Sequence, residues 1–481
     1  MQRILAFVSL LAICGGSGAD TRKGFEAYTS GDFKTAVQEF RASAQQGDAL
    51  AMFYLGECFY NGRGTLQDYS EAVKWYRQSA DKGQVEAQET LVSLYFFGTG
   101  VAQDYSEAAK WSALAAKQGK VYPQYLLGYM YDQGKGVAQD QAQAAEWYRK
   151  AAEQGNADAQ ESLASLLFFG RGVKQDYVEA AKWTAKVAAQ GRAYPQYLMG
   201  WMYEQGRGVA QDFAQAAQWY RKAADQNDAR AQASLGFLHY TGKGVAQDLT
   251  EAVKLFQKAA AQNEASAYSS LAWAYYQGKG TAQDFAEAAK WFRKSADGGE
   301  AQSKYMLGYL YEDGKGVAAD GNEAAKWYRQ AAEAGVVEAM EGLGALYFFG
   351  KGVAQDYAEA AKWYRVPAEK GRTYAQYLLG YLYEEGKGVT ADHAQAVKWY
   401  ALAAEKGDAR AQSHLGWMLW EGKGTQKDAV RAYMWSNLAA SQLSGEEGER
   451  VGKVRDFIAS KLAPDQLAKA QDLARNWKPK Q

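Results

Sequence analysis

A strict internal period constrains this chain more than any other feature. The pair Gly62-x-Gly64 recurs at Gly98, Gly134, Gly170, Gly206, Gly242, Gly278, Gly314, Gly350, Gly386 and Gly422, 36 residues apart each time. Units opened at Gly47 number eleven and run without insertion or deletion to Gln442. A fixed period of this length marks a repeat array, in which each unit buries its apolar face against the next. Below, the units are repeats 1 to 11, each with columns 1 to 36. Residues 20–46 read as a degenerate leading repeat, 47–442 as the array and 443–481 as a C-terminal helical cap. No linker interrupts the array, so one elongated body is expected rather than the three globules that 481 residues would otherwise suggest.

Each repeat reads as two helices. In repeat 3, Pro123, Leu127, Met130 and Tyr131 fall at i, i+4, i+7 and i+8, one face of a helix. Helix A is therefore expected from about column 3 to column 14. Helix B begins near column 23, after an Asp that recurs in every repeat: Asp68, Asp104, Asp140, Asp176, Asp212, Asp248, Asp284, Asp320, Asp356, Asp392 and Asp428. Glu or Gln follows three residues later in ten of the eleven, with Arg431 the exception. This is capping-box spacing, in which Asp caps free N–H groups and the acid reaches back. Eleven copies at one helix start make these carboxylates structural rather than metal-binding or catalytic. Each repeat opens on Gly, or on Asn227 or Asn263, the residue types that accept a left-handed helix end. Helix B carries an Ala-x-x-Trp-Tyr stripe, with Trp replaced only by Leu255. The Trp column, Trp219 at its centre, is expected to fill the space between repeats. A small residue after the helix-A Leu, such as Gly128 or Ala164, lets the neighbouring helix approach. The Gly-x-Gly segment lacks Walker spacing and a preceding strand, so it reads as the turn between helices. Pro367 interrupts the helix B pattern of repeat 9 and is expected to bend the array locally.

These residues resemble a known family. Leu127-Gly128-x-x-Tyr131-x-x-Gly134-x-Gly136-Val137-x-x-Asp140, then Ala144-x-x-Trp147-Tyr148-x-x-Ala151-Ala152, is similar to the Sel-one-like repeat, a relative of the tetratricopeptide repeat. The match covers 47–442 and recurs eleven times. The resemblance implies an all-α fold, an α/α right-handed superhelical solenoid with terminal caps, and an adaptor or scaffold role in protein complexes. One cysteine-rich subgroup is linked to β-lactam binding. This chain lacks the Cys pairs, so that activity is not carried over.

The ends carry their own signals. A basic start, an apolar run from Ile4 to Ile13 and Ser17-Gly18-Ala19 read as a signal peptide, residues 1–19. The mature chain is then expected in the periplasm or outside the cell, without a transmembrane helix. The alternative is a lipoprotein anchored at Cys14, although Ile13 is large for that signal. Cleavage leaves Cys58 as the one cysteine, so no internal disulfide can form. At the other end Phe457, Leu462, Leu467, Ala470, Leu473 and Trp477 are expected to cover the last repeat on two helices, Glu446 to Ala463 and Pro464 to Trp477.

Residues fixed by the repeat explain the fold and not the partner. Function is expected where the fold leaves columns free. Columns 7, 11 and 14 of helix A share a face opposite the Leu stripe. Column 7 holds Tyr125, Tyr197, Tyr305 and Tyr377; column 11 holds Tyr129, Trp201, Phe237, Trp273, Tyr309, Tyr381 and Trp417. Repeats with Tyr in column 7 carry an acid in column 14: Asp132, Glu204, Glu312 and Glu384. Repeats 2, 4 and 9 invert this, with Glu89, Glu161 and Glu341 in column 7 and Phe96, Phe168 and Phe348 in column 14. An aromatic stripe of this kind on the concave face suits a protein segment, because aromatics dominate interaction hot spots. The alternatives are inter-repeat core, a cell-wall glycan stacking on the rings, or a hydrolase of unknown substrate.

Lys+Arg and Asp+Glu both total 55, which argues against a nucleic-acid or polybasic membrane-surface protein. The three His share no metal-ligand spacing, and no nucleophilic triad assembles, so no catalytic residue, cofactor or metal is expected. His239 reads as a core substitution, His393 as exposed, and His414 as a neighbour of the helix-A face. Cys58 reads as a small buried hydrophobe.

Overall fold

The computed structural model describes residues 19–480; the body of the leader, with Cys14, lies outside the described residues. The described residues form 26 α-helices and no strand. Ala19–Ser30 and Phe33–Gln45 pair ahead of repeat 1. In repeat 3, helix A is Val121–Gln133 and helix B is Gln141–Glu153, columns 3–15 and 23–35. The other repeats keep this frame to within a residue. No described helix is long and apolar enough to cross a membrane.

Local chemistry sets these boundaries. In all eleven helices B the column 22 Asp accepts backbone N–H groups of the first turn. Each such cap contributes about 1 kcal/mol. The reciprocal half of the capping box does not form where the acid has a better donor. Glu107, Glu179, Glu287, Glu323 and Glu359 accept the indole N–H of the Trp one turn ahead, at 3.0–3.2 Å. The i,i+4 geometry puts both on one face, and an indole N–H in a partly buried column needs an acceptor. Helix B ends on left-handed backbone: the opening glycines have φ of 83° to 97°, Asn227 67° and Asn263 62°. The second Gly of Gly-x-Gly marks contact with the preceding repeat. A Cβ on Gly136 (φ 71°) would lie 2.2 Å from the carbonyl carbon of Tyr105 in repeat 2.

The deepest aromatic column is not Trp but the residue after it. Tyr76, Tyr148, Tyr220, Tyr328, Tyr364 and Tyr400 are at most 2 % exposed. Each packs on the small column 10 residue of helix A in its own repeat; a Cβ on Gly200 would meet Tyr220 Cδ1 at 2.5 Å. The Trp column fills inter-repeat space only in part. Trp111, Trp183, Trp327, Trp399 and Trp435 are buried, whereas Trp75, Trp147, Trp219, Trp291 and Trp363 are half-buried. Through repeat 10 the alternation follows a 72-residue double repeat, and it breaks at Trp435 in repeat 11. Trp219 carries Lys222 over its ring, with Nζ 3.9 Å from the centroid, so one side of that ring faces a solvated cation.

A buried glutamine in column 6 adds a clasp that the sequence did not announce. Gln88, Gln124, Gln160, Gln196, Gln376 and Gln412 each donate to a helix B carbonyl of the preceding repeat, at 3.0–3.1 Å. Buried amides must find such partners, and here they tie consecutive repeats together.

The unbroken array divides into two compact units. One holds the described residues up to 238 together with 242–246; the other holds 239–241 and 247–480. In the second, Gly445–Ala459 and Pro464–Asn476 close the last repeat. Ile458, Ala470 and Ala474 are the buried contacts there, with Leu462, Leu467 and Trp477 partly buried against them. Leu473 is exposed instead, because its helix presents Ala474 one position on, whereas Phe457, although 46 % exposed, packs edge-on against Trp420 of the last repeat at 5.6 Å. Helix B of repeat 9, Tyr357–Glu369, runs through Pro367 at ordinary length. Cys58 is fully buried, and burial pushes its thiol up to about 12.

Candidate partner-binding face

In the first unit the helix-A residues Tyr125, Tyr129, Tyr197 and Trp201 are half-buried, and Phe237 is 44 % exposed. Column 7 roofs the core tyrosines: the Tyr125 and Tyr197 rings lie 6.0 and 5.8 Å from Tyr148 and Tyr220. Burial pushes the Tyr125 phenol up from its ordinary range. Column 11 packs sideways on column 14 of the preceding repeat, with Phe96 against Tyr129 at 6.0 Å and Phe168 against Trp201 at 5.5 Å. The Tyr129 hydroxyl accepts from Lys135 at 2.9 Å. Arg230 lies over Tyr194 and Tyr197.

In the second unit Trp273, Tyr305, Tyr309, Tyr377 and Tyr381 are half-buried, and Trp417 is 36 % exposed. The contacts repeat: Tyr305 stacks on Tyr328 at 5.8 Å, Tyr377 lies tilted over Tyr400 at 6.0 Å, and Phe348 meets Tyr381 at 5.9 Å. Lys315 and Lys387 donate to the Tyr309 and Tyr381 hydroxyls. The half-buried candidates thus have a packed side and an accessible side, and Phe237 and Trp417 are exposed. None is inside the core.

The carboxylates on this face already have partners. Glu204, Glu312 and Glu384 accept the phenolic O–H of Tyr220, Tyr328 and Tyr400 at 2.5, 2.7 and 2.7 Å. Glu89, Glu161 and Glu341 pair with Lys120, Arg192 and Arg372, which open helix A of the next repeat, at 2.8, 3.1 and 3.0 Å. The alternation of acids in columns 7 and 14 is therefore explained by internal bonding and does not by itself call for a basic ligand. His414 joins one such pair. Its Nδ1 lies 2.8 Å from Glu384 and its ring stacks on Tyr400 at 4.9 Å. Burial raises the Glu384 pKa, but the hydrogen bonds from His414 and Tyr400 outweigh it and hold the carboxyl below its ordinary range.

Repeat 3 departs from this scheme. Asp132 is one methylene shorter than Glu204, and its carboxylate accepts from the Gln133 side chain at 3.0 Å rather than from the core tyrosine. Asp132 faces an open cleft of about 550 Å³ over helix A of repeat 4, Ala157–Phe169. Tyr125, Tyr194 and Phe169 are among the residues that line it. Phe169 is 57 % and Tyr194 43 % exposed, so the mouth is aromatic and open to solvent. Two substitutions in repeat 4 make the space. Ser165 stands in column 11 where repeats 3 and 5 have Tyr129 and Trp201, and Thr184 stands in the core tyrosine column. Reading single columns did not reveal this cleft; the two departures from the repeat, taken together, were its signal.

Among the described residues no group of three or more His, Cys, Asp or Glu could hold a metal ion. His393 is exposed, and His239 is partly buried in helix A of repeat 6.

Comparison with known proteins places the repeats. The model of the Sel1 repeat matches residues 49–84, 92–120, 124–156, 157–191, 196–228, 229–264, 265–300, 301–336, 337–371, 373–408 and 409–442. The chain is 36 % identical to c5321, described as a protective antigen of uropathogenic Escherichia coli with an SLR fold. That similarity covers 92 % of this chain and 94 % of the other, with a TM-score of 0.69. A Sel1 repeat protein from Oxalobacter formigenes is 35 % identical over 64 % of this chain and 89 % of its own, with a TM-score of 0.50. No curated protein matches the chain. Sel1 repeat proteins generally act as protein-interaction scaffolds and are typically non-catalytic. With eleven matched copies on a paired-helix array, this chain belongs to the Sel1 repeat family.

Proposed function

We propose that this protein is a non-enzymatic scaffold that works outside the cytoplasm and binds a protein partner through the helix-A face, the concave side of a solenoid. One observation carries the reading. The helix-A aromatics keep an accessible side although the repeat could have buried or replaced them, and aromatic side chains held rigidly on one side make good anchors. The leader at 1–19 supports the location, with anchoring at Cys14 the alternative. A glycan ligand would use the same rings and is the second reading.

The test is truncation of the accessible rings. Phe237→Ser, Trp417→Ser and Trp201→Ser together remove ring surface while leaving the core tyrosines in place. The scaffold reading expects partner binding to fall at least about tenfold, the equivalent of 1.4 kcal/mol, with the helical circular dichroism unchanged. Retained binding overturns it. Co-sedimentation with cell-wall polymer stripped of protein, lost in the same variant, moves the assignment to a glycan.

A further inference from the structure

The array contains its own comparison for the cleft over repeat 4. Repeat 9 lies 180 residues further on and repeats the surroundings: Tyr305, Glu341, Phe348, Phe349, Arg372 and Tyr374 stand for Tyr125, Glu161, Phe168, Phe169, Arg192 and Tyr194. Ser162, Ser165, Val187 and Pro195 become Gly342, Ala345, Pro367 and Ala375, and one further pair exchanges a small side chain for a large ring. Where repeat 4 has Ala164 and Thr184, repeat 9 has Gly344 and Tyr364. The Tyr364 ring lies against Gly344, where a Cβ would sit 2.9 Å from Cε1, and 6.5 Å from the Tyr374 ring. Those neighbours correspond to Ala164 and Tyr194, both of which line the cleft. In repeat 9 a tyrosine ring therefore occupies the space that repeat 4 leaves open. The Tyr364 hydroxyl is buried there without a hydrogen-bond partner, because column 14 holds Phe348 rather than the Glu of repeats 5, 8 and 10. The cleft of repeat 4 is better equipped for a phenol. It is lined by Ser162, Ser165, Thr184 and Asp132, which offer hydroxyl and carboxylate oxygens. Repeat 2 also lacks the tyrosine, at Ser112, but the fully buried Val92 occupies column 10 there.

We propose that the cleft over repeat 4 receives a tyrosine side chain presented by the partner protein, in the space that Tyr364 occupies in repeat 9. The proposal rests on the protein-scaffold reading and names the anchor that the scaffold recognises. The ring enters between Phe169 and Tyr194 and lies over Ala164, and its hydroxyl reaches the polar end of the cleft. An aromatic anchor in a preformed pocket is the usual centre of a protein interface.

The test uses the full chain and 4-methylphenol, the tyrosine side chain without its backbone. Methyl-group NMR or soaking into crystals counts its sites. The wild type takes one equivalent in the repeat 4 cleft. The pair A164G/T184Y rebuilds the ordinary repeat, with room for the ring, and weakens this binding at least about tenfold. The reverse pair, G344A/Y364T, opens a second site in repeat 9. Ser165→Trp is the check against misfolding, because it restores the ring of repeats 3 and 5 at an exposed helix-A position and covers the cleft from outside. No binding by the wild type, equal binding by A164G/T184Y and wild type, or preference for methyl glucoside over the phenol overturns the proposal. Phenol binding without any protein adduct from a photoreactive residue at Ser165 gives the cleft to a free small molecule, and overturns both the tyrosine anchor and the scaffold reading at this site. Adducts from other helix-A positions, with no phenol binding, leave the scaffold standing and remove only this anchor.

Discussion

Replacing Tyr220 by Ala should destabilise repeat 5 far more than replacing its neighbour Trp219, although Trp is the larger residue. Tyr220 is fully buried, its ring packs on Gly200 and Tyr197, and its hydroxyl donates to Glu204 at 2.5 Å. Truncating a buried aromatic costs about 3–5 kcal/mol. The carboxylate left without its donor adds about 1 kcal/mol. A fully buried aromatic removes about 150–250 Å² from water. At about 25 cal/mol per Å², the half-buried Trp219 then accounts for about 2–3 kcal/mol. An array of repeats need not unfold in one step, so a single unfolding free energy is the wrong readout. Hydrogen exchange of the amides of helices A and B of repeat 5 reads local opening directly. At a factor of ten per 1.4 kcal/mol, Tyr220→Ala lowers protection by about three to four decades and Trp219→Ala by about one and a half to two. Equal losses, or a larger loss for Trp219→Ala, would refute the assignment of the tyrosine column as the core of the repeat.

Three further outcomes follow from the same geometry. Gly136→Ala places a Cβ 2.2 Å from the Tyr105 backbone at a φ of 71°, so it should open the contact between repeats 2 and 3 and lower the protection of Tyr105–Lys117 more than Gly155→Ala, which meets no neighbour, does for its own surroundings. Because the folded Glu384 carboxyl titrates below its ordinary value of 4.5, its contribution to stability is present above that pH and is lost as pH falls through the folded pKa. Thermal melts from pH 6 downward should show this acid-side slope reduced in Glu384→Gln. Cys58, buried with its thiol pushed up to about 12, should resist a thiol reagent at pH 8 in the native chain and react on denaturation; native-state reaction at the denatured rate would contradict its burial.

The frame was legible because each of its parts is a local rule repeated eleven times. The column 22 Asp, the opening Gly or Asn and the Gly-x-Gly turn act within one turn of chain, and each fell where the spacing put it. Packing between elements was less legible. The Trp column looked like the core because Trp is large. The ring that meets the column 10 glycine is the next residue, and a one-residue step on a helix turns a side chain by about 100°. The acids of columns 7 and 14 looked like ligand-facing charges because their partners lie 16 or 31 residues away, as Tyr220 does from Glu204 and Arg192 from Glu161. Of the candidate face, the aromatics were legible as a stripe. The cleft was not, since it arises from residues that repeat 4 omits.

The central claim is that binding belongs to the helix-A face. It is tested most directly by photo-crosslinking in the native cell envelope, with the reactive residue at Tyr129, Trp201 or Trp273 on helix A and at the exposed Lys182 on helix B as control. The account predicts one discrete protein adduct shared by the three helix-A positions and absent from Lys182. Adducts from Lys182 alone, or none from helix A in a folded, exported chain, would contradict it.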